Sequence, residues 1–150
     1  MQISIDRARP EDMERVLALL VENHLPVDGL REHLATTLVA RAESGVVGSA
    51  ALEIYPDGAL LRSVAVAPAL QRHRLGCVLT EAAVRLAQQH RVPAVYLLTT
   101  TAVQYFPKFG FESISRSEVP ASVQTSVEFT SACPASAIVM RKRLGEQEGG

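Results

Sequence analysis

The stretch Val64-Ala65-Val66-Ala67-Pro68-Ala69-Leu70-Gln71-Arg72-His73-Arg74-Leu75-Gly76 reads as a strand, a stop and the start of a helix. Pro68 ends the strand because it has no backbone N–H to give to a ladder. From Leu75 onward the apolar residues fall at helical spacing: Leu75, Val78, Leu79, Ala82, Ala83, Leu86 and Ala87 share one face. Thr80, Glu81, Arg85, Gln88 and Gln89 lie opposite. The helix is expected to stop before Pro93, and Ala94-Val95-Tyr96-Leu97-Leu98-Thr99-Thr100 reads as a buried strand. A strand, a helix and a second strand make a right-handed crossover, so the two strands should be parallel. The Gln71–Gly76 turn falls at the helix N-terminus, where unpaired N–H groups and the positive end of the dipole bind phosphate. Arg72 and Arg74 would add charge-assisted bonds. An ordinary strand-to-helix turn with solvated arginines presents the same features, so this chemistry alone leaves both readings open.

Working outward, Met1–Asp6 reads as a short strand. Pro10, Glu11 and Asp12 suit the first turn of a helix, and Met13, Val16, Leu17, Leu20 and Val21 carry it to about Asn23. Leu25–Gly29 breaks the pattern, and Asp28 is expected to cap a short second helix through Leu34. Strands at Thr37–Ala42, Val46–Tyr55 and Ala59–Ala67 are separated by turns at Ser44-Gly45 and Pro56-Asp57-Gly58, the layout of an antiparallel meander. After the central helix and strand, a short helix is expected around Ala102–Lys108. A strand from Phe111 to about Ser117 and a last strand at Ala137–Lys142 beside it complete the chain. The order is β-α-α-β-β-β-α-β-α-β-β, an α/β chain of α+β type whose mixed sheet is antiparallel first and parallel at its centre. One domain over residues 1–144 with a disordered tail at 145–150 is expected, the tail being polar and glycine-rich.

With 150 residues and a formal net charge of −1, the chain has room for one core and no electrostatic footprint for nucleic acid or an anionic membrane. No apolar run is long enough to span a bilayer and no signal peptide is evident, so a cytoplasmic protein is expected. Cys77 and Cys133 are too few for a disulfide framework, and His24, His33, His73 and His90 show no metal-ligand spacing, so no metal is expected.

The quoted stretch resembles the acyl-CoA signature of the GNAT acetyltransferase superfamily, Gln/Arg-x-x-Gly-x-Gly/Ala after a strand ending apolar-x-Val-x-Pro. Val64, Val66, Pro68, Gln71 and Gly76 match it, and Phe109-Gly110-Phe111 resembles the Gly-Phe that follows the last helix in many members. The resemblance covers roughly residues 2–143. It implies that two central parallel strands splay and that acetyl-CoA lies in the gap. Its pantetheine arm would pair with the backbone of Val64, Ala65 and Val66, and its pyrophosphate would rest on the amides of Arg72, His73, Arg74, Leu75, Gly76 and Cys77. A neutral amine then attacks the thioester, and the N–H of Val66 or Ala65 is implied as the oxyanion donor. Two positions depart from the pattern. Arg74 stands where the signature has glycine, and Phe106 stands where many relatives carry a tyrosine acid, against the cofactor. Tyr105 is the neighbouring candidate acid, although one helical residue turns a side chain by about 100°. It also reads as a packing tyrosine.

For a general base the candidate is Glu53, which strand alternation turns to the face opposite Leu52 and Ile54. If that face meets the cleft, burial would raise its pKa. Three blocks narrow the resemblance: Leu61–Val66, Tyr96–Ala102 and Cys133–Ala137. They are similar to the stand-alone acetyltransferases of bacterial arsenic-resistance clusters and to the acetyltransferase part of N-acetylglutamate synthases. That similarity implies a small amino-acid-like acceptor, glutamate-like or an arsenical or phosphinic analogue. Its carboxylate would be held by Arg62, or by Arg41, with hydroxyls from Thr99 and Thr100. Each of these also reads as an ordinary strand residue, and Cys133 as a lining or buried thiol. The competing functions are a CoA-binding regulatory module without turnover and a protein N-acetyltransferase. A homodimer through the C-terminal strands is compatible with the sequence and not required by it.

Overall fold

The structure, a computed structural model, describes residues 2–71 and 74–144. Seven strands form one sheet: β1 (Ser4–Arg7), β2 (Thr37–Ala42), β3 (Gly45–Tyr55), β4 (Gly58–Val66), β5 (Ala94–Thr99), β6 (Glu112–Ile114) and β7 (Ile138–Arg143). Their spatial order is β1-β2-β3-β4-β5-β7-β6. β4 and β5 run parallel while the other neighbours are antiparallel, as the crossover and the meander predict. The last strand returns beside β6 as expected and also inserts between it and β5. The helices are α1 (Met13–Glu22), α2 (Leu75–Gln89) and the single-turn α3 (Ala121–Gln124).

α2 lies on one face of the sheet, where Leu75, Leu79, Ala83, Leu86 and Ala87 join Leu38, Leu52, Leu61, Val95 and Leu97 in the main core. Each fully buried leucine there stabilises the fold by roughly 1.5–3 kcal/mol. The buried face is rotated from the expected one: Val78 is 42% exposed, while Thr80 and Val84 are buried. α1 lies on the opposite face, and Val16, Leu19 and Leu20 meet Val39, Ala51 and Ala65. Beside it Val119 and Val123 cover Leu60, Tyr96 and Val139.

Several local expectations are corrected. The second helix is a 3-10 segment, Leu30–Thr36, and its cap is Gly29 at φ 76°, not Asp28. The helix before β6 is only a 3-10 turn, Phe106–Phe109. β6 stops at Ile114, and a 3-10 turn at Arg116–Glu118 follows, where a strand to Ser117 was expected. A capping box of Ser115 and Glu118 favours that turn. The stretch from there to β7 holds helical turns, including a π turn at Glu128–Ala132. The tail expected at 145–150 lies outside the described residues.

Two features of β4 shape the site. It pairs with β5 only at Ala59↔Val95 and Leu60↔Tyr96, after which the strands part. Gly58 permits the close approach where they meet, since a Cβ there would lie 2.9 Å from the Tyr96 ring and 3.2 Å from the Ala94 carbonyl. Further along, the β3–β4 register shifts and Ser63 adopts φ 62°, a bulge whose carbonyl accepts a 2.8 Å bond from Ser49 Oγ. A one-residue bulge exchanges the two faces of a strand. Leu61 faces the α2 core, and beyond the bulge Val64 and Val66 face it too, while Ala65 joins the α1 side.

Candidate active site

The gap between β4 and β5 opens into a cavity of about 1320 Å³. That exceeds the 300–1,000 Å³ usual for one small ligand, so it has room for two substrates. Its wall includes Leu97, from the α2 core, and Leu98 and Glu128, from the α1 side, so the cavity reaches both faces of the sheet.

On the α2 side the wall is built by Val64, Val66, Gln71, Arg74, Gly76 and Cys77, together with Tyr105 and Phe106. Among the described residues, the first N–H of α2 to bond a backbone carbonyl is that of Val78, to Arg74 at 3.2 Å. The amides of Leu75, Gly76 and Cys77 therefore precede the helical ladder, as in any helix N-terminus. Leu75 turns its side chain into the core, so only its backbone can serve a ligand. Arg74 takes φ 61°, ψ 14°, the left-handed conformation a glycine would take freely. Arginine holds this conformation at about 1–2 kcal/mol of strain. Arg72 and His73 lie outside the described residues. A Cβ on Gly76 would stand 3.1 Å from Tyr105 Oη and 3.8 Å from Val66 Cγ2, so bare glycine keeps this side of the cleft open.

Val66 offers its backbone to the gap. The Ala67 N–H bonds the Val47 carbonyl on β3 at 2.8 Å, so by alternation the groups of Val66 point away from β3. Its carbonyl indeed accepts from Gln71 Nε2 at 3.2 Å and Asn23 Nδ2 at 3.3 Å. Ala65 pairs toward Ser49 instead and does not line the cavity, so of the two expected oxyanion donors Val66 has the open N–H.

Tyr105 donates from its hydroxyl to Cys77 Sγ at 3.7 Å and packs edge-on against Phe106 and Phe109. Burial, then the bond to Cys77, pushes its phenol up to about 12, so it stays protonated at neutral pH. Phe106 is buried, edge-on to Phe111, and contributes only an apolar surface.

On the other side lies a buried charged cluster. Arg62 Nη1 donates to Glu53 Oε2 at 2.8 Å, Nε lies 3.2 Å from Glu128 Oε2 and 3.1 Å from Ser63 Oγ, and Nη2 reaches the Pro26 carbonyl at 3.3 Å. Every guanidinium nitrogen is engaged and the side chain is 0% exposed, so Arg62 is not a free carboxylate clamp. Glu53 does face away from Leu52, but it is 1% exposed and absent from the cavity wall. Burial alone would raise its pKa, but hydrogen bonds from Ser126, Tyr55 and Arg62, with His33 nearby, outweigh that and hold it below the usual carboxylate value. The expectation of Glu53 as a base with a raised pKa is therefore overturned: it is the counter-ion of Arg62. Arg41 is elsewhere, in a bidentate pair with Asp12 that ties α1 to β2. Thr99 and Thr100 both line the cavity; Thr99 Oγ1 accepts the Ala102 N–H at 2.9 Å, and Thr100 is exposed.

Glu128, not a candidate in the sequence, does line the cavity. Burial pushes its carboxyl up to about 7, further raised by Glu53 and Asp28 and partly offset by Arg62 and by the Cys133 thiol, which donates at 3.7 Å. Burial, then Glu128, pushes that thiol up to about 12, so Cys133 is an inert lining group and not a nucleophile.

A splayed parallel pair, an open strand backbone and a helix N-terminus on the cavity wall suit an extended, phosphate-bearing cofactor beside a second substrate. The acetyltransferase (GNAT) domain family matches residues 33–113, more than half of the sequence, and the chain belongs to that family of N-acetyltransferases, which take acetyl-CoA as co-substrate. Among solved structures it is similar to N-acetylglutamate synthase from Neisseria gonorrhoeae complexed with coenzyme A and N-acetyl-glutamate, at TM-score 0.82 and 21% identity over 97% of this chain. The chain spans 36% of that synthase. Rv2747 from Mycobacterium tuberculosis, in complex with CoA, superposes at TM-score 0.80 with 24% identity, covering 94% of this chain and 99% of its own. Ard1 from Thermoplasma volcanium gives TM-score 0.75 and 20% identity over 97% of this chain and 100% of its own. Among the described residues no helix is long and apolar enough to cross a membrane.

Proposed function

We propose that this chain transfers the acetyl group of acetyl-CoA to the amine of a small, amino-acid-like molecule. The observation that carries the reading is the cavity itself, which joins the α2 N-terminus on one face of the sheet to the Arg62–Glu128 cluster on the other. Acetyl-CoA would enter on the α2 face, its phosphates on the amides of Leu75, Gly76 and Cys77 with Arg74 beside them. Its pantetheine amides would extend the open edge of β4 as an added strand. The Val66 N–H would then stabilise the tetrahedral oxyanion, and Tyr105, kept protonated, would offer the thiolate a proton.

Glu128, Cys133, Pro134 and Ala137 wall the acceptor side, which favours a compact acceptor over a peptide. The amino-acid-like class rests on the sequence resemblance and on the N-acetyl-glutamate held by the gonococcal neighbour. Thr99 and Thr100 remain as hydroxyl donors for an acceptor carboxylate, and Arg62 passes from clamp to scaffold. A regulatory, non-catalytic role drew its support from Arg74 and Phe106; with Arg74 in the glycine conformation, the first of these loses its force.

A thiol-release assay with acetyl-CoA over free amino acids, simple amines and peptides separates the readings. Turnover confined to amino acids is expected. Turnover confined to peptides would contradict the acceptor class, and acetyl-CoA binding without turnover on any amine would favour the regulatory role.

A further inference from the structure

We propose that Glu128 is the general base of the transfer, its carboxylate taking a proton from the acceptor's ammonium so that the nitrogen can attack the thioester. The inference rests on the acetyltransferase reading of this cavity and assigns its proton acceptor. Two carboxylates stand on the cavity wall among the described residues: Asp28 is exposed, and Glu128 is 4% exposed. Glu128 is held from two sides, by Arg62 Nε at 3.2 Å and by the Cys133 thiol at 3.7 Å, which fixes the carboxylate against the wall. Arg62 adjoins Ser63 and Val64 on β4, so the carboxylate lies beside the strand segment whose backbone would hold the thioester.

The charged groups around Glu128 are Arg62 from β4, Glu53 from β3, Asp28 from the loop before the Leu30–Thr36 turn, and Cys133 from its own segment; His33 acts through Glu53, at 3.8 Å from Oε2. Two carboxylates thus share one guanidinium. Glu53 takes the shorter bond and stays ionised, while Glu128 is left able to gain and lose a proton near neutrality, where a base is most effective. In the step, the ammonium gives one proton to Glu128 and its lone pair forms the C–N bond to the acetyl carbonyl. The tetrahedral intermediate then breaks its C–S bond as Tyr105 protonates the departing thiolate, the second amine proton replaces the one Tyr105 gave, and Glu128 returns its proton to water.

The test is the pH dependence of kcat/KM for the full-length wild type, Glu128→Gln and Glu128→Asp, with acetyl-CoA affinity measured in parallel by titration calorimetry. The wild type is expected to gain activity through an ionisation near 7. Glu128→Gln should lose that limb and at least about 100-fold in kcat/KM, with acetyl-CoA affinity unchanged. Glu128→Asp should keep the limb at reduced kcat, which separates a titrating base from a merely structural carboxylate. An active wild type with Glu128→Gln within threefold of it, or with the same limb, overturns this assignment alone. A wild type inactive on every amine overturns the acetyltransferase reading and this one with it.

Discussion

Arg62 shows how far a single side chain can depart from its sequence reading. As a carboxylate clamp, its removal would raise only the acceptor KM. As the shared partner of Glu53 and Glu128, its loss leaves two buried carboxylates facing each other. Arg62→Ala is expected to destabilise the fold by about 3–5 kcal/mol, read as the drop in unfolding free energy in urea. Glu128 carries a pH signature of its own. Its folded pKa of about 7 lies above the unfolded carboxylate value, so the folded state holds an extra proton between the two. Its contribution to stability therefore falls as pH rises through that window and is constant above it. Glu128→Gln does not titrate, and should be more stable than the wild type at pH 8 by about 3 kcal/mol or less, with the difference shrinking toward pH 5. Glu53 and Asp12 act in the opposite sense. Their depressed pKa values contribute stability that is present at neutral pH and lost as acid protonates them. At Arg74, glycine would relieve the left-handed strain but cost about as much in unfolded-chain entropy. Arg74→Gly should thus leave the thermal midpoint nearly unchanged while weakening acetyl-CoA binding roughly tenfold through the lost charge.

The junction of β4 and α2 was readable because both elements announce themselves locally, through Pro68 and through apolar residues at helical spacing. What could not be read was phase. The Ser63 bulge exchanges the faces of β4 midway, and nothing in Arg62-Ser63-Val64 marks a residue that will take a positive φ. The rotation of α2 that exposes Val78 is hidden for a similar reason: alanines at Ala82 and Ala83 weaken the face that periodicity would define. Glu128 was invisible because its partners Arg62 and Glu53 stand on other strands, far away in sequence, and local pattern carries no information about such pairing. Gly76, by contrast, was legible as part of the turn, and a Cβ there would crowd Tyr105 Oη at 3.1 Å. Gly76→Leu should therefore weaken acetyl-CoA binding more than tenfold in calorimetry, while circular dichroism shows α2 intact, since leucine is a better helix former than glycine.

Taken whole, the molecule is a sheet split at its one parallel pair. α2 lies on one face of the split sheet, and α1 with the 116–132 segment lies on the other. The meander, the single parallel pairing and the splay followed from element order together with the resemblance. The charged cluster at the far end did not, because it is assembled from β3, β4 and a π turn that no local pattern announces. The account's central claim is that this split holds acetyl-CoA. Calorimetric titration with acetyl-CoA tests it most directly. One molecule bound per chain, with a Kd in roughly the 1 μM–1 mM range of enzyme substrates, is the result expected. No heat of binding at millimolar acetyl-CoA, from a chain shown to be folded, would contradict it.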